Sequence, residues 1–580
     1  MAKGKQNCNK FVIFFRLIFG LIYATINIEF TRKGAIDINF LKKSAAVFAA
    51  CLMLITAAGC GKKDDDGCDY SYTYDISSNP VTLDPQQADE PNSDLIIENV
   101  FMGLLTLGKD GSVKEGAASD FVVSEDGLTY DFKLRQDIYW IDNDEFERQC
   151  TAKDFVFGFT RLFLPETRSS RAEDYYCIKN SKLLHTGKIT DSSMLGVKAK
   201  GDFELEITLE YPNARFLTML TEPPAMPCNE EFFLNSQGKY GLSAECTPSN
   251  GAFYVRRWLY DPYSDLDSNN IILNRNTKNA EAREICPSSV SIYIDDEEEF
   301  INNLLEGDIS CLAVSNDDRA LIKGDFGCEE FCSITCGLMF NRQSELFKNS
   351  DFCKALSLLV DRETIMSAIP EFKAAEGLVP EQVSMIDKSY RELIGGCKLS
   401  DYDANAAQGL FKKAKPSLDL SRFTGTKIIV QDSAAETAVS YIMQEWQREF
   451  GFYCVVENLP ENEFRDRLNS GDYDIAVMEL SGKYNSPSAY LEQFSSSAAD
   501  NRTGFSDSGF DALLKQAEEA ADLSDSAELY KKAEQVLIDK AAFVPLYYKN
   551  EYFFTVEGGT DIVYNPFSKT VDFRLAKLFD

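Results

Sequence analysis

The amino-acid sequence predicts an α/β fold, because segments with the period of a strand alternate along the chain with segments with the period of a helix. Leu128–Arg135 alternates apolar and polar side chains, which is typical of a strand with one buried face. Thr151 then stands three residues before Asp154, and this pair is a capping signal for an amphipathic helix. A strand from Thr426 and a second strand at Tyr453–Glu457 flank a helical stretch, which predicts a parallel βαβ unit.

The alternation continues on both sides of these segments. A first strand is predicted to end at Ile76, and a further strand is predicted at Ser333–Asn341. Two amphipathic helices are predicted at Phe510–Ala521 and Ser526–Leu537. Phe543–Tyr548 follows them and resembles a strand of a known protein family, so we expect a strand there.

Composition and charge limit the possible partners. The chain has 580 residues, 44% of them hydrophobic, which is enough for large cores in two or three lobes. From residue 60 onward, 51 basic side chains stand against 90 acidic ones, a net charge of about −39. Nucleic-acid phosphates need basic patches, so we expect no nucleic-acid partner.

Residues 41–59 have the pattern of an export signal. Lys42 and Lys43 precede an apolar core, and small residues lead to Cys60. The segment resembles a bacterial lipoprotein signal peptide, in which the cysteine is diacylated and becomes the first mature residue. Two acyl chains would hold the protein at a membrane surface. An ordinary signal peptide or membrane anchor with an incidental cysteine is the alternative.

The segments on either side of this signal have simpler interpretations. Phe11–Phe30 is long enough to span a bilayer but contains Arg16 and Glu29. Because Leu41 begins a complete signal, our hypothesis is that translation starts there and residues 1–40 are not translated. A genuine extra membrane segment is the alternative. Residues 60–70 are acidic and predict a solvated, lipid-anchored tether.

Patterns for catalysis and for metal binding find little support in the sequence. His185 is the only histidine, so neither a catalytic triad nor an H-E-x-x-H motif can be assembled without it. The acidic run Asp295–Glu299 suits the first turn of a helix, although a metal site there is an alternative. Thirteen cysteines follow Cys60, and none forms a C-x-x-C pair. We predict no enzyme, no cofactor and no metal site.

Several motifs occur together in the order and spacing of one family. Asp126–Arg135 is followed by Trp140, by the Thr151–Phe155 segment and by Arg161, and Asn143 stands where that family has glycine. These motifs resemble those of the extracytoplasmic solute-binding proteins of the peptide/nickel type, the binding subunits of oligopeptide and dipeptide ABC importers. The resemblance extends from about Ser71 to the C-terminus.

The resemblance implies a two-lobed periplasmic-binding-protein fold of type II, the large peptide-binding class, with a small third domain. The expected divisions are lobe I from residues 71–111, 217–335 and 545–580, the small domain II from 112–216, and lobe III from 336–544. The implied function is capture of peptides in an interlobe cleft and delivery to ABC permease subunits. We expect an extracytoplasmic monomer, lipid-anchored to the outer face of the bacterial cell membrane.

Two other functions stay open for this fold. One is a signalling receptor that senses a peptide and reports to a membrane partner. The other is binding of a non-peptide anionic solute. Both would use the same cleft.

The family's bound peptide pairs with the backbone of two segments, like an added strand. One corresponds here to Asp89–Ser93, which places Glu90 and Asn92 at the ligand. Pro91 lies in this segment and cannot donate an N–H, so the pairing must differ from the family's.

The other segment is residues 480–487, and here the chain departs from the family. The family has an aspartate that binds the peptide's amino group, and Lys483 stands in its place. Two ammonium groups about 4 Å apart would repel each other by roughly 4 kcal/mol at an effective dielectric constant near 20. We therefore expect no recognition of a free N-terminus by this contact. Lys483 meets a ligand carboxylate, pairs with a neighbouring acid or faces solvent.

The remaining predicted ligand-binding residues form an aromatic and amide wall of the cleft. They are Tyr484, Asn485, Asn250, Tyr547 and Tyr548. Core packing is the alternative for each aromatic. The family's disulfide between the lobes does not transfer, because Ser481 replaces its second cysteine.

Overall fold

The computed structural model describes residues 68–109, 111–144, 146–263, 269–279, 284–386, 388–499 and 501–579. Residues 1–40, the predicted signal peptide 41–59, the lipidation site Cys60 and the tether as far as residue 67 lie outside the described residues. Within those ranges, every helix is too short or too polar to cross a bilayer.

A four-stranded sheet forms the centre of the first lobe. Ser71–Ile76 pairs in parallel with Ser289–Ile294, which pairs antiparallel with Asn270–Arg275. Phe253–Leu259 completes the sheet on the far edge. The helix Pro91–Val100 adds buried Leu, Ile and Val side chains to the core of this lobe. The predicted strand ending at Ile76 is confirmed.

A smaller antiparallel sheet shares that core. Its strands are, in spatial order, Ala118–Val123, Thr129–Leu134, Glu204–Thr208 and Val197–Gly201. In Thr129–Leu134 the apolar side chains are buried and the polar ones are exposed or half-buried. The predicted strand with one buried face is confirmed, with ends one residue inside the expected ones.

The predicted capping pair is also confirmed. The backbone N–H of Thr151 donates to the Asp154 carboxylate at 2.7 Å, and the helix runs over Ala152–Phe163. The bond satisfies a backbone donor that the start of a helix leaves without a partner. Phe155 and Phe159 on this helix are buried in the first core.

A seven-stranded sheet forms the second lobe. Thr424–Val430, the helix Ser433–Phe450 and Tyr453–Asn458 form a parallel βαβ unit, which confirms that prediction. Ile475–Ser481 pairs in parallel with the other side of the first of these strands. The helix Glu461–Ser470 connects it to the unit.

Two long strands join the lobes. The first connecting strand, Gly327–Phe340, and the second connecting strand, Phe543–Thr555, pair antiparallel with a register shift between Phe331 and Ile334. The short strand Cys311–Val314 pairs with the second connecting strand at its first-lobe end. The predicted strands at residues 333–341 and 543–548 are both present, and the first of them ends one residue early, at Phe340.

Each face of the seven-stranded sheet has its own hydrophobic core. Along the first connecting strand, Leu338 and Phe340 contribute to one core and Met339 contributes to the other. This follows from the alternation of side chains along a strand. The two predicted C-terminal helices are observed as Ser508–Glu518 and Leu523–Asp539.

The other regular elements are short. The remaining helices are Ser181–His185, Phe216–Met219, Glu230–Asn235, Phe300–Glu306, Ser350–Ser357, Arg362–Ala368, Tyr390–Ile394, Ala404–Ala414 and Ser488–Leu491. The remaining strands are Leu105–Leu107, Val113–Glu115, Tyr139–Ile141, Glu147–Gln149, Lys373–Ala374, Ser384–Met385, Lys388–Ser389, Gly559–Thr560, Val563–Asn565, Thr570–Asp572 and Lys577–Leu578.

One disulfide was not predicted. Cys68 bonds to Cys286, and the other eleven cysteines of the described residues are free thiols. The bond fixes the start of the first strand to the segment that precedes Ser289–Ile294. Its two cysteines are 218 residues apart, so sequence spacing carries no signal for their pairing.

Candidate functional site

A cavity of about 490 Å³ opens at the carboxyl ends of the parallel strands of the seven-stranded sheet. Asp432, Glu461 and Glu479 line it, and each lies at or just beyond the end of one of those strands. Asp317, which follows the strand Cys311–Val314, lines it as well. Ligands of open α/β sheets bind outside the carboxyl ends of the strands, so this cavity is the candidate binding site. We call it the main cavity.

A buried lysine organises the charge of the main cavity. The Lys549 ammonium on the second connecting strand donates to Asp432 at 2.7 Å and to Glu479 at 2.6 Å, and its side chain is 8% exposed. Burial alone would lower the pKa of Lys549, but the two carboxylates and Cys336 hold it above its usual value. Desolvation raises the pKa of Asp317, and Lys549 partly offsets this. Two of the carboxylates in the cavity therefore share one fixed cation, and the group of three keeps a net charge of −1.

A second, smaller cavity of about 200 Å³ adjoins the first. The two cavities share Met478, Glu479 and Arg502 as lining residues. The other residues that line the smaller one are Met339, Ser481, Lys483, Gln493, Phe494 and Thr503. Lys483, which sequence analysis singled out, thus lies on the wall of a cavity next to the candidate site.

Lys483 has an exposed side chain. In the described part of the chain, no carboxylate lies within the 4.0 Å of an ion pair with its ammonium. The acid that it influences is Asp174, whose pKa is raised by desolvation and is lowered in part by Arg215, Arg171 and Lys483. The direct ion pair that the sequence left open is not formed, and a role for Lys483 at the ligand stays a prediction.

Tyr484 and Asn485 contact protein groups beside the second lobe's strand end. The Arg215 guanidinium carbon lies 3.6 Å from the centroid of the Tyr484 ring, and the Tyr484 hydroxyl donates to Glu492 at 2.7 Å. The Asn485 side chain accepts from the Ser384 backbone N–H and donates to the Ser384 hydroxyl, both at 2.8 Å. The structure therefore brings Lys483, Tyr484 and Asn485 together on one segment at the junction of the lobes.

Glu90 and Asn92 lie on a different segment. The Glu90 carboxylate accepts from the backbone N–H of Val81 at 2.7 Å, and the Asn92 amide donates to the Ser78 hydroxyl at 2.9 Å. Pro91 is the first residue of a helix, where its missing N–H has no cost, so the segment predicted to pair with a ligand is helical from this residue onward. Neither side chain lines the main or the smaller cavity.

The other three predicted site residues are buried. The Asn250 side chain accepts from the Met102 backbone N–H and donates to the Met102 carbonyl, both at 3.0 Å. Tyr547 packs on Phe372 with ring centroids 4.9 Å apart, and the hydroxyl of Tyr548 accepts from the Glu376 backbone N–H at 3.0 Å. These contacts correspond to the core-packing alternative that the sequence left open for the tyrosines. Their role as a cleft wall stays a prediction.

Several residues of the candidate site carry no signal in the sequence. Asp317, Asp432 and Lys549 meet only in the folded chain, and nothing in the sequence distinguishes them from its many other charged residues. Arg502 belongs to no recognisable sequence motif. His185 is the only histidine, and its ring forms a hydrogen bond of 2.7 Å with the Tyr176 hydroxyl. Neither residue lines the main or the smaller cavity. Within the described ranges, no group of three or more histidine, cysteine, aspartate or glutamate residues is arranged to hold a metal ion.

Comparisons with known proteins agree with this architecture. A relative from Bacillus subtilis, an oligopeptide-binding protein, is 25% identical over 84% of this chain and 89% of its own length. A dipeptide-binding protein of the same organism is 25% identical over 84% of this chain and 88% of its own length.

Solved structures have the same fold. The substrate-binding domain of an oligopeptide ABC transporter from Bacillus anthracis superimposes with a TM-score of 0.64 at 24% identity, over 89% of this chain and 100% of its own. A peptide-bound oligopeptide-binding protein of Listeria monocytogenes superimposes with a TM-score of 0.64 at 22% identity, over 88% of this chain and 99% of its own. The predicted two-lobed α/β fold of type II is confirmed.

The family itself follows from a match to residues 112–502, which is more than half of the chain. That segment matches the family model of the bacterial extracellular solute-binding proteins, family 5. Proteins of this family bind solutes and are not enzymes, and the resemblance stated from the motifs is confirmed. This chain belongs to the bacterial extracellular solute-binding proteins of family 5.

Proposed function

We propose that this protein captures peptides between its two lobes and delivers them to the permease subunits of an ABC importer. The observation that carries the proposal is the main cavity at the carboxyl ends of the parallel strands, about 490 Å³ in volume. Sites for small ligands in proteins have volumes of roughly 300–1,000 Å³. The relatives named oligopeptide-binding and dipeptide-binding proteins support the choice of ligand.

The proposed movement is closure of one lobe on the other. Its hinge is the pair of connecting strands, whose pairing is irregular between Phe331 and Ile334. The proposed divisions are lobe I from residues 71–111, 217–335 and 545–580, domain II from 112–216 and lobe III from 336–544. The closed monomer docks on the permease.

The proposed location is the outer face of the cell membrane, with a lipid on Cys60. The test is metabolic labelling with a fatty acid in the native host. Labelling of the wild type and its loss in Cys60→Ser is the expected result. Equal labelling of the variant, or none of the wild type, contradicts the anchor.

The decisive test of the ligand class is thermal unfolding in the presence of short peptides. A ligand that binds only the native state adds about 2.7 kcal/mol at a hundredfold excess over its Kd. We expect peptides to raise the Tm of the wild type. Asp317→Trp, which fills the main cavity from the first-lobe side, should abolish the shift. Glu125→Trp, an exposed position that lines neither cavity, should retain it.

Peptides with free and with acetylated N-termini form the second comparison. Because Lys483 stands where the family has an aspartate, acetylated peptides should raise the Tm at least as much as free ones. A larger shift with the free peptides contradicts this use of Lys483. If no peptide of any length raises the Tm, the peptide assignment is wrong.

A non-peptide anionic solute is the second candidate. One relative from Escherichia coli, 26% identical over 82% of this chain, is named a probable deoxycholate-binding periplasmic protein. Lys483 at the edge of the smaller cavity would favour such a negatively charged ligand. Deoxycholate below its micelle concentration is therefore added to the same thermal test. A Tm shift with it and with no peptide would favour this candidate.

A further inference from the structure

The smaller cavity has an unusual balance of charge. Two of its lining side chains are cationic, Lys483 and Arg502, and one is anionic, Glu479. Glu479 is bound to Lys549 at 2.6 Å, although Lys549 is shared with Asp432, and the two cations of the cavity outnumber this one anion. The net charge that this cavity presents to a ligand is therefore positive, on a chain whose overall charge is strongly negative.

The two cations differ from the others along the cleft. Lys549 and Arg465, which line the main cavity, have carboxylate partners in Asp432 and Glu461. In the described part of the chain, neither Lys483 nor Arg502 has a carboxylate within 4.0 Å. Two unpaired cations on one cavity of about 200 Å³ repel each other unless an anion lies between them.

The wall that carries these cations is held in place by hydrogen bonds. The carbonyl of Arg502 accepts from the Tyr473 hydroxyl at 2.7 Å, and the carbonyl of Thr503 accepts from the backbone N–H of Arg342 at 2.8 Å. The Gln493 amide donates to the Ser481 carbonyl at 2.8 Å and so fixes the opposite side beside Lys483. The backbone that carries the two cations is therefore held by hydrogen bonds, so less conformational entropy of the backbone is lost when a ligand binds.

We infer that Lys483 and Arg502 form an anion subsite of the cleft, which takes a carboxylate of the bound solute. The inference rests on the proposed function and specifies its substrate class as acidic peptides or acidic peptide-like solutes. A guanidinium binds a carboxylate through two parallel hydrogen bonds, and an ammonium adds a point charge. The apolar side chains of Met339, Met478 and Phe494 surround the site and accommodate the carbon chain that carries the acid.

The test compares two pools of acetylated, C-terminally amidated tetrapeptides. Each peptide of the first pool has one glutamate as its only carboxylate, and the second pool has glutamine in its place. Peptides retained by the purified protein in equilibrium dialysis are quantified by mass spectrometry. The wild type should retain the glutamate pool about tenfold or more over the glutamine pool, the usual worth of a hydrogen bond to a charged group.

Three variants locate the preference. Arg502→Gln and Lys483→Gln should each reduce the ratio of glutamate-pool to glutamine-pool retention several-fold. Arg422→Gln makes the same change of charge at an exposed position of the second lobe that lines neither cavity, and it should keep the preference. Equal loss in all three variants would show a general field effect and would overturn the subsite.

The outcomes separate the subsite from the proposed function. If the wild type retains both pools equally, peptide binding is supported and the anion subsite is overturned. If it retains neither pool, glutarate is titrated at constant ionic strength and the Tm is followed. A shift that is present in the wild type and absent in Arg502→Gln supports the subsite and rejects the peptide. No shift with glutarate overturns the subsite as well.

Discussion

The guanidinium of Arg215 lies over the ring of Tyr484, 3.6 Å from its centroid. Arg215 follows the small sheet of the first lobe, and Tyr484 follows the strand Ile475–Ser481 of the second, so the pair is a contact between the lobes. Burial disfavours the charge of Arg215, but Tyr484 and Glu222 hold its pKa above the usual value. A cation held over an aromatic face is stabilised by about 0.5–2 kcal/mol.

This contact should stabilise the folded protein by a measurable pairwise amount. In a double-mutant cycle of Arg215→Met and Tyr484→Leu, we expect a coupling free energy of about 0.5–2 kcal/mol in urea unfolding. Replacing Arg215→Met by Arg422→Met gives the control cycle, because Arg422 is exposed and contacts Asp419 instead. A coupling no larger than in the control cycle would rule out the interlobe stacking.

A buried ion pair joins Arg161, on the helix Ala152–Phe163, to Asp84. Arg161 donates to both carboxylate oxygens of Asp84, at 3.0 and 2.5 Å, and its side chain is 5% exposed. Arg161→Met leaves the Asp84 charge buried without its partner and should cost about 3–5 kcal/mol of unfolding free energy. Adding Asp84→Asn to that variant should recover part of the loss.

An exposed arginine gives the matched control for this prediction. Arg148 pairs with Glu231 at 3.0 Å, but about half of each side chain is exposed. Arg148→Met should therefore change the unfolding free energy by less than about 1 kcal/mol. Similar losses for the two arginine variants would show that burial does not decide the strength of these pairs.

Asn250 tests the difference between a structural residue and a ligand contact. Asn250→Ala removes the acceptor and the donor that satisfy both backbone groups of Met102 and should cost about 1–3 kcal/mol of stability for each buried group left without a partner. Urea unfolding of the ligand-free protein measures this. If the variant is as stable as the wild type but binds peptides more weakly, Asn250 contacts the ligand and is not a structural residue.

The sequence predicted the elements of the fold well where local chemistry determines them. The Thr151–Asp154 cap and the βαβ unit at Thr424–Asn458 depend on neighbours within a few residues or on a regular period, and both are present. The candidate site depends on contacts between distant segments. Lys549 meets Asp432 from 117 residues away, and no periodicity records that approach.

Lys483 was recognisable in part from the sequence and in part only from the fold. Its departure from the family's aspartate was visible in the sequence, and its place on a cavity wall required the fold. Arg502, on the same wall, had no local signal, because an exposed arginine in a loop resembles any other. Tyr547 and Tyr548 are fully buried and Tyr484 is half-buried, a difference that the sequence does not reveal.

Glu98 should make stability depend on pH. Desolvation raises the pKa of Glu98 to about 8 from its ordinary 4.5, while a hydrogen bond from Thr570 at 2.7 Å opposes this. The native state therefore holds a proton that the unfolded chain releases between pH 4.5 and about 8. Because the native state binds more protons in this window, the contribution of Glu98 to stability is complete below pH 4.5 and falls as pH rises.

Glu98→Gln replaces the neutral acid by an amide of the same shape and should remove this loss. The difference in unfolding free energy, variant minus wild type, should rise with pH through the window, with a slope of up to about 1.4 kcal/mol per pH unit. It should be flat below pH 4.5 and above about 8. Urea unfolding at a series of pH values measures the difference, and Glu125→Gln, the same change at an exposed position, is the control. A flat profile for Glu98→Gln would show that the pKa of Glu98 is the same in the native and the unfolded protein.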